Sequence, residues 1–565
     1  MVRCCLAGLA AVVTVTALSV DARADEQVLL RRDAAWRWQT ATAPRIPAQI
    51  GAMAVSALDV VAGRKGAAPA SPLGPDVARP EAWPFGVDRG AAAAIRRAAD
   101  DDERVAVAFG VAAFELTEVD QGFAMLELRA RYEDGIAVWL NGMEVLRQAA
   151  PGGGATALAP RPHGPEWETF YVPVGPGVLR LGANTLAIEL HPSARRGTPS
   201  FAAELVARRT RGLVRGPHLA EVDATTATIV AESDPDVDAT LEWGMGGTLD
   251  RRATSRAADP AHRRHVWKLD GLPANARVSY RVRCGATDTP RRTFHTMPPA
   301  GATLRIGVYG DVRGGHATHA RILDQMLGEG LDLVAVTGDL VLRGSDDADW
   351  QRFFALARTL LAQLPYYPAA GNHDVGWDAD RMFVFPAPPA GRPDGAYWYS
   401  RDVADVHLVF LDSNAYERSE QEAWLERDLA AARARGARAI LAFTHDGPYS
   451  RGYHGGNALA RARYVPILVR HRVDALFAGH DHIYQRGEIG GLRYVVTGGG
   501  GASLYQILCG TAGTPACKVT DGMAAIAREH HYVVVTISST DVEMCVRRVD
   551  GSLLERCTHA PVSRR

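Results

Sequence analysis

The sequence predicts a multidomain chain in which two N-terminal β-sandwiches are followed by an α/β domain. Three observations predict it. The chain has 565 residues, too many for one core and enough for roughly three or four domains. Up to Met297 it is dominated by short alternating apolar runs set off by turn signals, the texture of antiparallel sheet. From Pro298 onward, apolar runs of strand length alternate with helix-patterned segments such as SEQEAWLERDLAAARARG, as in an α/β core.

Composition supports large packed cores. Hydrophobic residues make up 47% and charged residues 22%, which excludes collagen-like, coiled-coil and low-complexity classes. The net charge of -1 argues against nucleic acid as a dedicated partner. The first 24 residues carry Arg3, an uncharged run from Cys4 to Val20 and the small-x-small site Ala22-Arg23-Ala24, the pattern of a cleaved signal peptide. The expectation is an exported protein, periplasmic or extracellular, with no membrane association after cleavage. In such an oxidising compartment Cys284, Cys509, Cys517, Cys545 and Cys557 remain. Close spacing suggests Cys509 with Cys517 and Cys545 with Cys557, leaving Cys284 free in a strand, although spacing alone does not fix connectivity.

Residues 25–211 are expected to form the first sandwich, with a Pro/Ala/Gly-rich loop between Ala62 and Pro80. The clearest local signal is IAVWL-NG-MEVL, where Asn141-Gly142 separates two apolar runs as a two-residue hairpin turn does. WETFYVPV and NTLAIELHPS add further alternating strands. This stretch resembles the galactose-binding-like jelly-roll modules attached to secreted bacterial enzymes. Carbohydrate binding is a separate matter: Trp36, Trp38 and Trp83 would stack on a glycan if exposed, and core burial is the preferred expectation for them.

Residues 212–298 show strands at short regular spacing: TTATIVAES, ATLEWG, HRRHVWKLDGL, RVSYRVRC and RRTFHTM. They predict a small sandwich. With GPHLAEV at its start, this segment resembles the fibronectin type III-like domain that precedes the catalytic domain of purple acid phosphatases. A spacer without chemistry is the preferred expectation, since fold alone carries no function.

Residues 299–565 hold the chemistry. The strand-like runs LRIGVYGD, DLVAVTGD, YYPAAGNHD, VHLVFLDS, ARAILAFTHDG and VDALFAGHDH all carry Asp, Asn or His at or next to their last residue, and in α/β folds ligand sites collect at the carboxyl ends of strands. GDVRGG, which closes the first run, lacks the lysine and the Ser/Thr of a phosphate loop. Asp311 is therefore a candidate metal ligand. Asp311, Asp339, Asn372, His445, His480 and His482 form a mixed carboxylate, amide and imidazole set without thiolate. Such a set suits Zn, Fe or Mn better than Ca and is too large for one tetrahedral ion, so two metal ions are expected.

GDVRGG, GDLVLRG, GNHD, THDGPYS and GHDHIYQR, in this order, resemble the blocks of calcineurin-like metallophosphoesterases. LDSNAYERSEQEAWLERDL and GHDHIYQR point to the purple acid phosphatase-like branch. The resemblance implies a two-sheet αββα sandwich. It places Asp311, Asp339 and His482 on one metal, with Asp339 bridging, and Asn372, His445 and His480 on the other. His373 is implied as proton donor or transition-state stabiliser beside the leaving oxygen.

Two positions depart from the family pattern. Arg313 stands where the first block often has histidine; it cannot ligate a metal but its guanidinium suits phosphate oxygens. Leu342 stands at the place of the metal-binding tyrosine, which weakens the case for an iron-containing centre. Arg343, on the arginine of the DRG pattern, and His454, in RGYHGGN, are further substrate-binding candidates. Gly498 to Gly501 is expected to let the backbone pass tightly beside the site.

The expected function is hydrolysis of phosphate monoesters by metal-hydroxide attack, on a phosphorylated small-molecule or macromolecular substrate. The alternatives are a phosphodiesterase or nucleotidase on the same site, and, from another class, a catalytically inactive secreted glycan-binding protein.

Overall fold

The computed structural model describes residues 26–31, 35–42, 83–84, 105–116, 125–150, 158–159, 167–173, 179–193, 201–208, 212–233, 237–255, 264–285, 287–376, 383 and 389–562. The leader expected over residues 1–24 and the loop between Ala62 and Pro80 lie outside them. The chain divides into two compact units, with the main break near residue 209.

The first unit is built on two antiparallel sheets. One orders Glu26–Leu30, Phe201–Arg208, Met125–Tyr132 and Trp167–Pro173; the other orders Trp83–Pro84, Ala35–Thr42, Val105–Leu116, Gly182–His191, Gly135–Leu140 and Met143–Gln148. Between the last two strands, Asn141 and Gly142 have φ of 51° and 84°, the paired positive values that the primed hairpin turn demands. Trp36 is fully buried and meets Phe201 edge-on at 5.4 Å. It presents no face to a sugar. The side chains of Trp38 and Trp83 lie outside the described residues.

The second unit begins with two small antiparallel sheets, Leu213–Val222, Ala227–Ser233 and Arg264–Leu269 in one, and Arg251–Ser255, Ala239–Met245, Arg277–Cys284, Thr287–Asp288 and Arg292–His295 in the other. Ile229, Leu241, Trp267, Tyr280, Val282 and Phe294 fill the space between them. Cys284 is buried there. The Tyr280 hydroxyl donates to the Ala362 carbonyl at 2.7 Å, tying this sandwich to the α/β part of the chain.

The remainder is a two-sheet α/β sandwich. The first sheet runs Tyr366–Pro368, Leu333–Val336, Leu304–Tyr309, His531–Ile537, Asp541–Arg548, Thr558–Pro561, its first three strands parallel. The second runs Tyr399–Val403, Val406–Phe410, Ala439–Asp446, Ala475–Gly479, Leu492–Thr497, Tyr484–Ile489, Met523–Ala527, with Val406–Phe410, Ala439–Asp446, Ala475–Gly479 and Leu492–Thr497 parallel.

Strand alternation decides which residues fill which layer. Ile306, Val308, Leu333 and Ala335 face the other sheet, whose Leu408, Phe410, Leu441, Phe443 and Phe477 meet them. Val334, Val336 and Tyr309 face outward, under the helices His316–Leu327 and Asp347–Leu361. Ser419–Ala434 and Val465–Arg470 cover the outer face of the second sheet through Trp424, Leu425, Leu429, Ile467 and Leu468. Inside, Tyr399, Phe410, Phe443 and Phe477 stack in sequence with ring centroids 4.5, 4.9 and 5.3 Å apart. This ladder fixes the lateral order of the strands whose carboxyl ends carry His445 and His480. Two disulfides, Cys509–Cys517 and Cys545–Cys557, match the pairing suggested by spacing. Among the described residues no helix is long and apolar enough to cross a membrane.

Candidate metal centre

The two sheets bring their parallel strand ends to one place. Asp311 follows strand Leu304–Tyr309, Asp339 follows Leu333–Val336 and Asn372 follows Tyr366–Pro368, while His445 lies at the end of Ala439–Asp446 and His480 and His482 follow Ala475–Gly479. Asp311, Asp339 and His480 have φ of 59°, 56° and 68°. Three of the six candidate ligands therefore hold a left-handed backbone that side chains rarely adopt, a strain that concentrates at functional sites.

The donor chemistry is specific. The Nδ1 atoms of His445 and His482 lie 2.8 Å and 2.7 Å from the carbonyls of Thr337 and Ser503. A carbonyl only accepts, so each Nδ1 carries the hydrogen and each Nε2 presents a lone pair, the arrangement that orients metal-binding histidines. His482 Nε2 is buried, has no hydrogen-bond partner and sits 3.4 Å from Asp311 Oδ1. Ligand atoms of Asp311, Asp339 and His482 lie within 4.8 Å of one another. Around His445 Nε2 gather Asn372 Oδ1 at 2.9 Å, His480 Nδ1 at 3.1 Å and Asp339 Oδ1 at 3.3 Å. Asn372 Oδ1 and Asp339 Oδ1 only accept, so with His445 neutral three acceptor atoms converge with no hydrogen between them. Such clusters call for cations, and there are two of them with Asp339 common to both.

The charges act accordingly. Burial raises the Asp339 carboxyl, but His445, the His373 amide and Arg313 outweigh it and hold it below the usual carboxylate range. Burial lowers His445, yet Asp339 and Asp311 lift it above the ordinary histidine value. Burial, aided by His445 and His454, lowers His480 to about 3, leaving it a neutral ligand at any physiological pH.

Around the six, the structure gathers most of the other candidates. The His373 amide donates to Asp339 Oδ1 at 3.0 Å, and His373 Nδ1 lies 2.8 Å from the Leu342 carbonyl. Nε2 is thus the nitrogen left to exchange a proton. Leu342 is exposed and contributes only this carbonyl. Arg313 Nε donates to Asp339 Oδ2 at 2.9 Å and Nη2 to the Tyr505 hydroxyl at 3.2 Å. His454 stacks on His480 at 3.8 Å. Arg343 is exposed, its amide donating to Asp349, and among the described residues no bond joins its side chain to the six.

Two residues escape sequence reasoning. Asp374 is fully buried and accepts from four amides: Asp339 and Gly371 at 2.9 Å on one oxygen, Leu340 at 2.9 Å and Val341 at 3.4 Å on the other. Burial, with the Asp339 charge behind it, pushes its carboxyl up to about 7 against the pull of these amides. The only signal was its place as the last letter of GNHD. Tyr505 stacks on His482 at 3.9 Å from a loop with no motif. The glycines act as expected: a Cβ on Gly479 or Gly498 would lie 2.3 Å or 2.9 Å from Asp311 Oδ2.

The sequence pattern of the calcineurin-like phosphoesterase family matches residues 304–484, which include all six candidate ligands. The α/β domain is a calcineurin-like phosphoesterase domain. Purple acid phosphatase 22 of Arabidopsis thaliana is 27% identical over 289 residues, 47% of this chain and 65% of that protein. Purple acid phosphatase 21 of the same plant is 29% identical over 236 residues, 39% of this chain and 53% of that protein. The chain thus spans between about half and two thirds of the length of these relatives. The solved structure of purple acid phosphatase PPD1 from yellow lupin (Lupinus luteus) seeds superposes with a TM-score of 0.53 at 16% identity, covering 80% of this chain and 93% of that one. The phosphoesterase domain therefore has the fold of the purple acid phosphatase-like branch.

Proposed function

We propose that the phosphoesterase domain hydrolyses phosphate monoesters with two bound metal ions. The observation that carries this reading is the pair of lone-pair clusters joined at Asp339, one centred on the partnerless His482 Nε2 and the other on His445 Nε2. Asp311, Asp339 and His482 would hold one ion; Asp339, Asn372, His445 and His480 the other. Oxygen and imidazole donors without thiolate suit Zn, Fe or Mn. A metal pair of this kind supplies a nucleophilic oxygen at neutral pH and charge stabilisation for phosphoryl transfer.

The chain's own residues supply the rest. His373, fixed by its amide on Asp339 and by Nδ1 on the Leu342 carbonyl, holds Nε2 ready to give a proton to the departing alcohol oxygen. Arg313 keeps its Nη atoms at the edge of the site, where a phosphate oxygen would compete with the Tyr505 hydroxyl for them. Buried walls exclude water from the carboxylates, which strengthens each electrostatic contact. A phosphorylated substrate is the partner this reading requires. Two disulfides support an oxidising, exported location.

The test is bound metal and p-nitrophenyl phosphate turnover in wild type and Asp339→Asn. Wild type is expected to bind close to two ions per chain, and the variant to lose metal and at least about a hundredfold in turnover, the upper end of losses seen when even the groups that orient metal ligands are changed. A wild-type protein that neither binds metal nor turns over the ester overturns the reading.

A further inference from the structure

Next to the metal centre the chain builds a second cavity, of about 430 Å³, between the segment Tyr449–Arg461 and the loop that carries Leu508 to Asp521. That volume suits a small molecule rather than a few waters. The loop is tied in place. The Leu508 amide donates to the Arg451 carbonyl at 2.8 Å, and the Gly510 amide to the Pro515 carbonyl at 2.7 Å. Arg451 binds both oxygens of Asp521 at 2.7 Å and reaches the Gly510 carbonyl at 3.2 Å. The Cys509–Cys517 disulfide closes the loop on itself. A pocket whose walls are tied this way exists before any ligand arrives, which lowers the ordering cost of binding.

Its lining mixes aromatic and aliphatic residues with the charged Arg451, Arg461, Lys518 and Asp521, of which Arg451 and Asp521 are paired with each other. Tyr453 is 68% exposed, Leu508 43% and Val519 38%, and all three border the cavity. A cluster of exposed apolar side chains beside a site marks a ligand surface. The cavity borders the centre through the Tyr453 ring. The Tyr453 ring lies 5.1 Å from His454 and 5.8 Å from Tyr505, and these two rings stack on the candidate ligands His480 and His482 at 3.8 Å and 3.9 Å. One aromatic ring separates the cavity from the side chains that stack on the ligands.

We propose that this cavity is the leaving-group subsite of the phosphoesterase site and takes the aromatic ring of an aryl-type alcohol portion against Tyr453. The proposal rests on the phosphoesterase reading above. Tyr453 offers a ring for stacking, with Leu508 and Val519 on the apolar side.

The experiment compares 2-naphthyl phosphate with glycerol 2-phosphate on the metal-loaded full chain, in wild type, Tyr453→Ala and Val519→Asp. Both positions are exposed, and melting curves check that each variant folds. The ratio of kcat/KM for the aryl over the glycerol ester is expected to fall about tenfold in each variant, equivalent to about 1.4 kcal/mol, mostly through KM. In parallel, 2-naphthol, which carries no phosphate, is expected to bind wild type in ligand-observed NMR and to lose that signal in both variants. Hydrolysis of both esters with the ratio unmoved within about twofold in both variants, or no 2-naphthol binding to wild type, overturns the subsite while leaving the phosphoesterase reading intact. Hydrolysis of neither ester overturns that reading and the leaving-group role with it.

Discussion

Replacing Asp374 by asparagine tests whether the metal centre is held in shape by a residue that contacts no metal. The carboxylate accepts two amides on each oxygen, from Asp339 and Gly371 on one and Leu340 and Val341 on the other. Asparagine is the same size but puts an NH₂ where one oxygen stood, so two buried amides then face a donor. Each unsatisfied buried donor costs about 1–3 kcal/mol, which sets the loss at about 2–6 kcal/mol. A domain with the usual stability of about 5–15 kcal/mol stays folded at the low end of that loss. The amides concerned belong to the turns that carry Asp339 and Asn372, so ligand geometry suffers as well, and changes to groups that orient metal ligands cost about 10–100-fold in metal affinity. Urea unfolding of the chelator-treated protein gives the first quantity, and competitive Zn²⁺ titration at a temperature where both proteins are folded gives the second. A stability loss below about 0.5 kcal/mol, the range of inert surface changes, with unchanged metal affinity would refute the reasoning.

Arg313→Ala is expected to destabilise the chelator-treated protein by about 3–5 kcal/mol, because it strips the guanidinium from the buried Asp339 carboxylate, and to cost clearly less once metal is bound; an equal loss in both states counts against Arg313 as the counter-charge of the metal-free centre. His407 lies between Asp402 at 2.6 Å and Asp428 at 2.8 Å; burial lowers its pKa, but the two carboxylates outweigh it and raise it above the ordinary histidine value. With the folded value above the unfolded one, the His407 contribution is complete below about pH 6.5 and is lost as pH rises through the folded value. The stability gap between wild type and His407→Gln should therefore be wider at pH 6 than at pH 9 in denaturant titrations, and a gap independent of pH would contradict the assignment.

The candidate ligands were legible because each sits where an apolar strand ends, and strand ends are marked by a change of composition that sequence displays directly. The Asn141-Gly142 turn was legible for a related reason: only a few residues tolerate its backbone. Asp374 was not, since a carboxylate that binds four backbone amides looks in sequence like any acidic residue after a motif; its role exists only once the turns of Asp339 and Gly371 fold against it. Tyr505 was hidden more deeply. It reaches His482 from a loop with neither periodicity nor turn signature, and its partner Arg313 lies 192 positions away. Arg313 itself was legible as a departure but not as an ion-pair partner of Asp339, because sequence does not reveal which of several neighbouring charges a long side chain meets.

The strained residues explain why this centre keeps its shape. A left-handed backbone costs on the order of 1–3 kcal/mol at a residue other than glycine, and Asp311, Asp339 and His480 all carry it. Each is restrained by its neighbours. The Asp311 amide donates to the Gly338 carbonyl, beside Asp339; the Asp339 amide donates to Asp374, which also holds Gly371 next to Asn372; the His480 amide donates to both oxygens of Asp311. The turns of the two sheets thus lock one another through backbone donors, with the Asp374 and Asp311 carboxylates as acceptors. Close passage at Gly479 and Gly498 leaves the Asp311 carboxylate no room to turn away. The geometry is built by the chain, and a cation entering it meets donors already oriented by hydrogen bonds that do not depend on its presence.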